Sequence, residues 1–126
     1  MSRHEIIRET EEMVTSIQPL WAVTPAKIAE AVRRIVEAVN PVRIILFGSQ
    51  ARGDGGRDSD LDLMVVEENV QDTAQEIARL HGVLRELLIP VDIVVVDRQK
   101  FDYWRDTPGN VYFEAAQDGR CLYEAA

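Results

Sequence analysis

Three short stretches of this sequence hold residue types able to manage phosphate and a divalent cation. They are Phe47-Gly48-Ser49-Gln50-Ala51-Arg52-Gly53, Asp58-Ser59-Asp60-Leu61-Asp62-Leu63 and Pro90-Val91-Asp92. Asp60 and Asp62 are two apart, so in an extended strand their side chains leave the same face. At about 3.3 Å of rise per residue their Cα atoms lie about 7 Å apart, and both carboxylates can reach one cation. Without a cation they repel each other. Mg²⁺ suits the pair, because it prefers oxygen ligands and completes its shell with substrate phosphates and water. Gly48 lets the backbone come close to a ligand, and exposed N–H groups there can donate to phosphate oxygens. Ser49 adds a hydroxyl donor. Arg52 offers a planar, permanently charged fork suited to phosphate, with a loop-shaping salt bridge as its alternative role.

Asp92 follows Pro90 at the start of an apolar run, where a buried charge is costly without a partner. A cation shared with Asp60 and Asp62 would provide one, and Asp92 could also take the proton of an attacking hydroxyl as a general base. Taken alone, it reads equally well as a turn or strand-start aspartate. Each fragment by itself says little. A D-x-D pair also occurs on solvated strand edges and in enzymes that bind nucleotide sugars through a metal. The weight lies in the combination: G-S leaving one strand, D-x-D opening a second after ten residues, and an aspartate opening a third.

The elements that must position these residues follow from periodicity and punctuation. Residues 5–17 place Ile6, Ile7, Met13, Val14 and Ile17 at roughly helical spacing, a first amphipathic helix (an extension over 4–18) suited to packing or oligomerisation. The next helix has Thr24 as N-cap and Pro25 at its first position. Its stripe is Ile28, Ala31, Val32, Ile35, Val36 and Val39, and it stops at Asn40-Pro41. Residues 42–47 read as a buried strand, 48–59 as a loop with a short helix conceivable from Ser49, and 60–66 as a second strand. A helix over 70–88 carries Ala74, Ile77, Ala78, Val83, Leu84, Leu87 and Leu88 as its apolar positions. Residues 90–96 form a third strand, short helices follow at 98–105 and 110–117, Gly119 ends the last as its C′ residue, and 121–123 closes as a strand. The order predicts a single α/β (α+β) domain with a small mixed β-sheet flanked by helices.

Composition narrows the function classes. The 126 residues carry 14 basic and 22 acidic side chains, a net charge of −8. Such a surface repels a phosphate backbone, which argues against direct nucleic-acid binding, but it can hold one nucleotide if a divalent cation neutralises the local charge. The single cysteine, Cys121, excludes an internal disulfide or a multi-cysteine zinc site and reads as a small, partly buried hydrophobe. No apolar run approaches the ~20 residues of a membrane helix and no signal-peptide pattern opens the chain, so a cytoplasmic, non-membrane protein is expected. His81 reads as a helix-surface residue, Trp21, Tyr103 and Trp104 as packing residues, and Glu67, Glu68 and Asp54 to Asp58 as solvated loop charges.

G-S, ten residues, then D-x-D resembles the signature of the minimal nucleotidyltransferases of the DNA polymerase β-like superfamily. Gly48, Ser49, Asp60 and Asp62 match it at that spacing, and residues 48–53 look like its common GSxARG form. Residues 35–96 carry the resemblance, and Gly119-Arg120-Cys121-Leu122-Tyr123 is similar to the ends of stand-alone members. The resemblance implies a polymerase β-like core, Asp60 and Asp62 as metal ligands, Gly48 and Ser49 as triphosphate contacts and Asp92 as the third carboxylate. The implied reaction is in-line attack of an acceptor hydroxyl on the α-phosphate of ATP with loss of pyrophosphate. Two Mg²⁺ ions about 3.5–4 Å apart would assist it, bridged by Asp60 and Asp62, with Asp92 on the catalytic one. Stand-alone members commonly pair with a HEPN-domain protein as a toxin–antitoxin system, and some add AMP to a tyrosine of the toxin. Three functions follow as expectations: transfer of AMP to a partner hydroxyl, neutralisation of a partner by occlusion alone, or nucleotide-sugar chemistry at D-x-D. The last is disfavoured because so short a chain has little room for an acceptor domain. For the same reason the acceptor surface is expected from a partner or a second copy.

Overall fold

The computed structural model describes residue 20, residues 22–53 and residues 60–126. The N-terminal helix expected over 5–17, Trp21, and Asp54 to Asp58 lie outside the described residues.

Helix α1 (Pro25–Val39) forms as its end signals dictate. The Thr24 hydroxyl accepts from the Lys27 N–H at 3.2 Å, Pro25 opens the first turn, and Asn40 closes the helix in the left-handed region. Ala31 and Ile35 are its buried positions. Strand β1 (Arg43–Phe47) runs into a five-residue helix α2 (Gly48–Arg52), which Gly53 ends at φ 81°. The stretch expected as loop therefore opens as helix. Strand β2 (Leu61–Glu67) leads to helix α3 (Thr73–Leu84) and a 3₁₀ turn, Arg85–Leu87. That helix starts three residues later than its apolar pattern suggests, because the Asp72 side chain accepts from the Gln75 N–H and fixes the cap there. Its buried positions are Leu80 and Leu84, whereas Ala74, Ala78 and Leu88 are exposed. Strand β3 (Val91–Asp97), helices α4 (Arg98–Trp104) and α5 (Val111–Asp118) and strand β4 (Arg120–Glu124) complete the chain.

The sheet is mixed, in the order β3-β2-β1-β4. β1 pairs antiparallel with β2 and β4, while β2 and β3 are parallel and α3 crosses between them. Strand alternation sends Leu46, Leu61, Leu63, Val65, Ile93 and Val95 toward α1 and α3, and Ile45, Phe47, Met64, Val66 and Val96 toward α4 and α5. Two apolar layers thus clamp a sheet whose central strand, β2, is buried on both faces.

Several single-residue expectations are corrected by this packing. Tyr103 and Trp104 do not serve the core: they are 73% and 40% exposed and form an edge-to-face pair on α4. Cys121 is exposed on the edge strand. His81 is exposed on α3 as expected. Gly119 does end α5, but at φ −77° and ψ 164°, an extended conformation open to any residue. Glu67 is not a loop charge. It closes β2 on the α3 side with 7% exposure, and its Oε2 is buried without a hydrogen-bond partner.

Burial pushes the Glu67 carboxyl from an ordinary 4.5 up to about 7, Glu76 adds to the rise, and Arg79 opposes it. Between those two pH values the folded chain holds a proton that the unfolded chain releases, so stability falls as pH climbs from about 4.5 to about 7. Glu67→Gln removes that loss. The variant should be more stable than wild type by about 1–3 kcal/mol at pH 8 and indistinguishable at pH 4. Thermal melts at the two pH values decide it, and an equal difference at both would refute the assignment.

Candidate active site

The site lies where β1 ends and β2 and β3 begin. Phe47 pairs with Asp62 across the antiparallel ladder, and Asp62 pairs with Asp92 across the parallel one. Alternation gives Asp62 the face of Met64 and Val66, and Asp92 the face of Val96, so both carboxylates stand on the α4/α5 side of the sheet. Asp60 precedes β2 and is exposed, Asp92 is exposed, and Asp62 between them is partly buried. The register explains what sequence spacing alone could not: Asp92 is thirty positions from Asp62 in the chain but its immediate neighbour in the sheet.

Gly48 is required on two counts. Its φ of +72° lies in the left-handed region, and a Cβ there would sit 2.3 Å from Asp62 Oδ2 and 3.1 Å from its Cγ. The turn out of β1 is therefore folded directly against the Asp62 carboxylate. Gly48→Ala is expected to lower stability by about 1–2 kcal/mol from backbone strain and to displace the carboxylate. Chemical denaturation measures the first effect. A shifted Asp62 side-chain resonance reports the second, and an unmoved one would contradict it. Ser49 follows in the first turn of α2, half-buried.

Arg52 closes α2, and its Nη1 donates to Glu114 Oε1 at 3.5 Å, each side chain being 45% exposed. The salt-bridge role foreseen for Arg52 is thus present, and its partner comes from α5. Glu114 escaped the sequence reading. A weak signal was available: it shares the apolar stripe of α5 with Val111 and Ala115, where a charge is out of place.

Electrostatically these groups form one cluster. The Asp62 carboxyl is held above the ordinary carboxylate range, first by burial, then by the negative charges of Asp92, Asp60 and Glu114, with Arg52 pulling the other way. A set of oxygen donors that repel one another suits Mg²⁺ in kind. Among the described residues no group of three or more His, Cys, Asp or Glu side chains stands ready to hold a metal ion, so the carboxylate set is open. Such open sites are usual for Mg²⁺, which one or two carboxylates hold while substrate phosphates supply the remaining oxygens. A bound Mg²⁺ would draw its protein oxygens from among Asp60, Asp62 and Asp92.

No helix among the described residues is long and apolar enough to cross a membrane. No curated protein matches the sequence. In fold the chain is similar to a protein of Sulfolobus solfataricus assigned as a nucleotidyltransferase, with TM-score 0.52 and 19% identity over 79% of this chain and 78% of that one. It is also similar to a toxin-antitoxin with AMP-PNP (TM-score 0.49, 19% identity, 77% of this chain and 73% of that). A mutant of the toxin-antitoxin MntA-HpeT is similar at TM-score 0.46 and 18% identity, over 82% and 75% of the two chains. The nucleotidyltransferase domain family matches residues 26–115, a span that contains Gly48, Arg52, all three aspartates and Glu114, and the chain belongs to that family.

Proposed function

We propose that this chain transfers a nucleotidyl group, AMP from ATP with Mg²⁺, to a hydroxyl of a partner protein, a HEPN-domain toxin, and so acts as an antitoxin. The observation that carries the reading is the adjacency of Asp60, Asp62 and Asp92 at one sheet end, with Gly48 folded onto Asp62. That adjacency confines negative charge where a divalent cation would relieve it and, once bound, would draw in a triphosphate. The backbone and hydroxyl of Gly48-Ser49 bind the β- and γ-phosphates, and Arg52 moves from Glu114 toward a phosphate oxygen. Asp60 and Asp62 would hold Mg²⁺, which would supply positive charge to offset the phosphates and the charge that develops at the α-phosphorus. Asp92 takes the proton of the attacking hydroxyl. The HEPN partner rests on the resemblance of residues 48–53 and 60–62 to the GSxARG and D-x-D segments of the minimal nucleotidyltransferases.

Calorimetric titration of ATP into the pure protein, with and without Mg²⁺, tests the site. Metal-dependent binding is expected, and no binding in either condition would overturn it. Neutralisation of the partner by Asp60→Asn then separates chemistry from occlusion. Loss of neutralisation is expected; full retention would assign the protection to occlusion.

A further inference from the structure

Both edges of the sheet are open among the described residues, and they are built differently. β4 is five residues long and carries Arg120 and Glu124. It also bulges against β1, where Tyr123 and Cys121 face consecutive residues and Leu122 faces none. Shortness, charge and a bulge keep an edge strand from pairing with another chain. β3 lacks these devices. It is seven residues long, its register runs from Leu61↔Val91 to Glu67↔Asp97 without a shift, and Val91 to Val96 hold one charge, Asp92. Beside its start stands Leu88, 53% exposed, in the wall of a cavity with Leu84, Ile89 and Val91. Natural proteins leave so long, regular and apolar an edge where another strand covers it.

The ladder between β2 and β3 fixes which backbone groups of β3 are free. The Leu61 N–H donates to the Pro90 carbonyl at 2.8 Å. Along a paired strand the N–H and C=O groups turn alternately toward the neighbour and away from it. Asp92, Val94 and Val96 therefore face β2, whereas Val91, Ile93 and Val95 face outward. The side chains around this free row are apolar on both faces of the sheet. Ile93 and Val95 pack toward α1 and α3, and Val94 and Val96 toward α4 and α5.

We propose that β3 pairs antiparallel with β3 of a second copy of this chain, about a two-fold axis through Val94, so that one sheet runs through both copies. The inference stands apart from the nucleotidyl-transfer reading. Self-complementarity selects the second copy as the occupant. Centred on Val94, the pairing sets Ile93 opposite Val95 of the second copy and Val95 opposite its Ile93, so outward groups meet outward groups. All seven residues are then paired. A shift of one residue sets outward groups against inward ones, and a shift of two leaves an end of each strand uncovered. The charges agree as well. Asp92 falls opposite Val96 of the second copy and Asp97 opposite its Val91, so no two carboxylates are directly opposed, an arrangement that would weaken the pair. Because β3 begins at the carboxylates and ends at α4, each site is set beside the first turn of the other copy's α4.

Analytical ultracentrifugation and amide hydrogen exchange of the full chain, at about 1 μM and about 100 μM, test the pairing. A dimer with a Kd of about 10 μM is expected. Exchange at the Ile93 and Val95 amides should slow about fourfold between the two concentrations. The amides of Asp92, Val94 and Val96, held by β2, should exchange alike at both. Val91 tests the register, because the two-fold axis sets it against Asp97 of the other copy at two places. Val91→Asp should weaken association about tenfold, and Val91→Lys should keep or tighten it. Both substitutions put a charge at the same partly buried position, so a cost to folding is common to them. A chain still monomeric at about 100 μM overturns the proposal and leaves the edge to a different protein. Protected Ile93 and Val95 amides in a monomer overturn it too, since the chain's own residues would then cover the edge. So does a dimer in which those two amides exchange freely, or an equal effect of the two substitutions.

Discussion

Asp62→Asn is expected to abolish nucleotidyl transfer while making the metal-free protein more stable. Asp62 is the member of the cluster most crowded by its surroundings, partly buried and facing the charges of Asp92, Asp60 and Glu114. An amide of the same shape keeps the packing and removes the repulsion, a gain of about 1 kcal/mol at neutral pH. The sign follows from linkage. A carboxyl whose folded pKa is raised costs stability once pH rises through its range, so the gain should fade as pH drops below the ordinary value of 3.8. Activity moves the other way. Losing one metal-binding carboxylate removes charge stabilisation worth about 4 kcal/mol or more in the transition state, a fall of about a thousandfold. Paired measurements decide it: melting temperatures without metal at about pH 7.5 and about pH 3, and transfer from α-labelled ATP. A variant that is both less stable at pH 7.5 and still active would contradict the assignment of Asp62 in each respect.

Gly119→Ala should produce the largest loss of stability, with no direct effect on charge. A Cβ at Gly119 would meet Ala115 O at 2.2 Å, Ile45 Cγ2 at 2.6 Å and Leu46 O at 3.0 Å. Two of those neighbours are backbone atoms, so no rotamer change relieves the overlap. Either α5 or β4 must move away from β1. Overpacking of this kind costs about 3 kcal/mol, or about 10 °C in melting temperature for a domain of this size. The comparison is Gly82→Ala in α3, where an added Cβ meets nothing within 4 Å. That change should stabilise by about 0.5–1 kcal/mol, as alanine replaces glycine in a helix interior. Two glycine-to-alanine changes of opposite sign separate crowding from backbone freedom. Equal effects from both would show that the contact at Gly119 has been misread. Because α5 carries Glu114, the Gly119 variant should also loosen the Arg52–Glu114 pair, visible as disorder of Arg52 by side-chain NMR.

The sequence by itself determined what depends on neighbours in the chain. Thr24-Pro25 and Asn40 bound α1, short β-rich apolar runs over 42–47 and 90–96 set two strands, and Gly48-Ser49 with Asp60 and Asp62 at their spacing carried the resemblance to the nucleotidyltransferases, the family to which the chain belongs. Such signals are carried by contacts a few residues apart, so they survive without a fold. Where one local signal hid another, as with Asp72 capping α3 inside a longer apolar pattern, the boundary moved but the element stayed.

Tertiary structure decided everything that depends on which surfaces meet. The parallel register made Asp92 the neighbour of Asp62, and α5 brought Glu114 to Arg52 across 62 residues of chain. Burial of β2 against α3 turned Glu67 from a surface charge into a carboxyl held near pH 7. The left-handed residue after the 3₁₀ turn put Leu88 at a cavity wall, and the approach of α5 to β1 made Gly119 necessary for space, although its backbone is ordinary. Each of these depends on a distance between residues far apart in the chain. Side-chain type and spacing are silent on such distances, because they are fixed only when the two apolar layers close on the sheet.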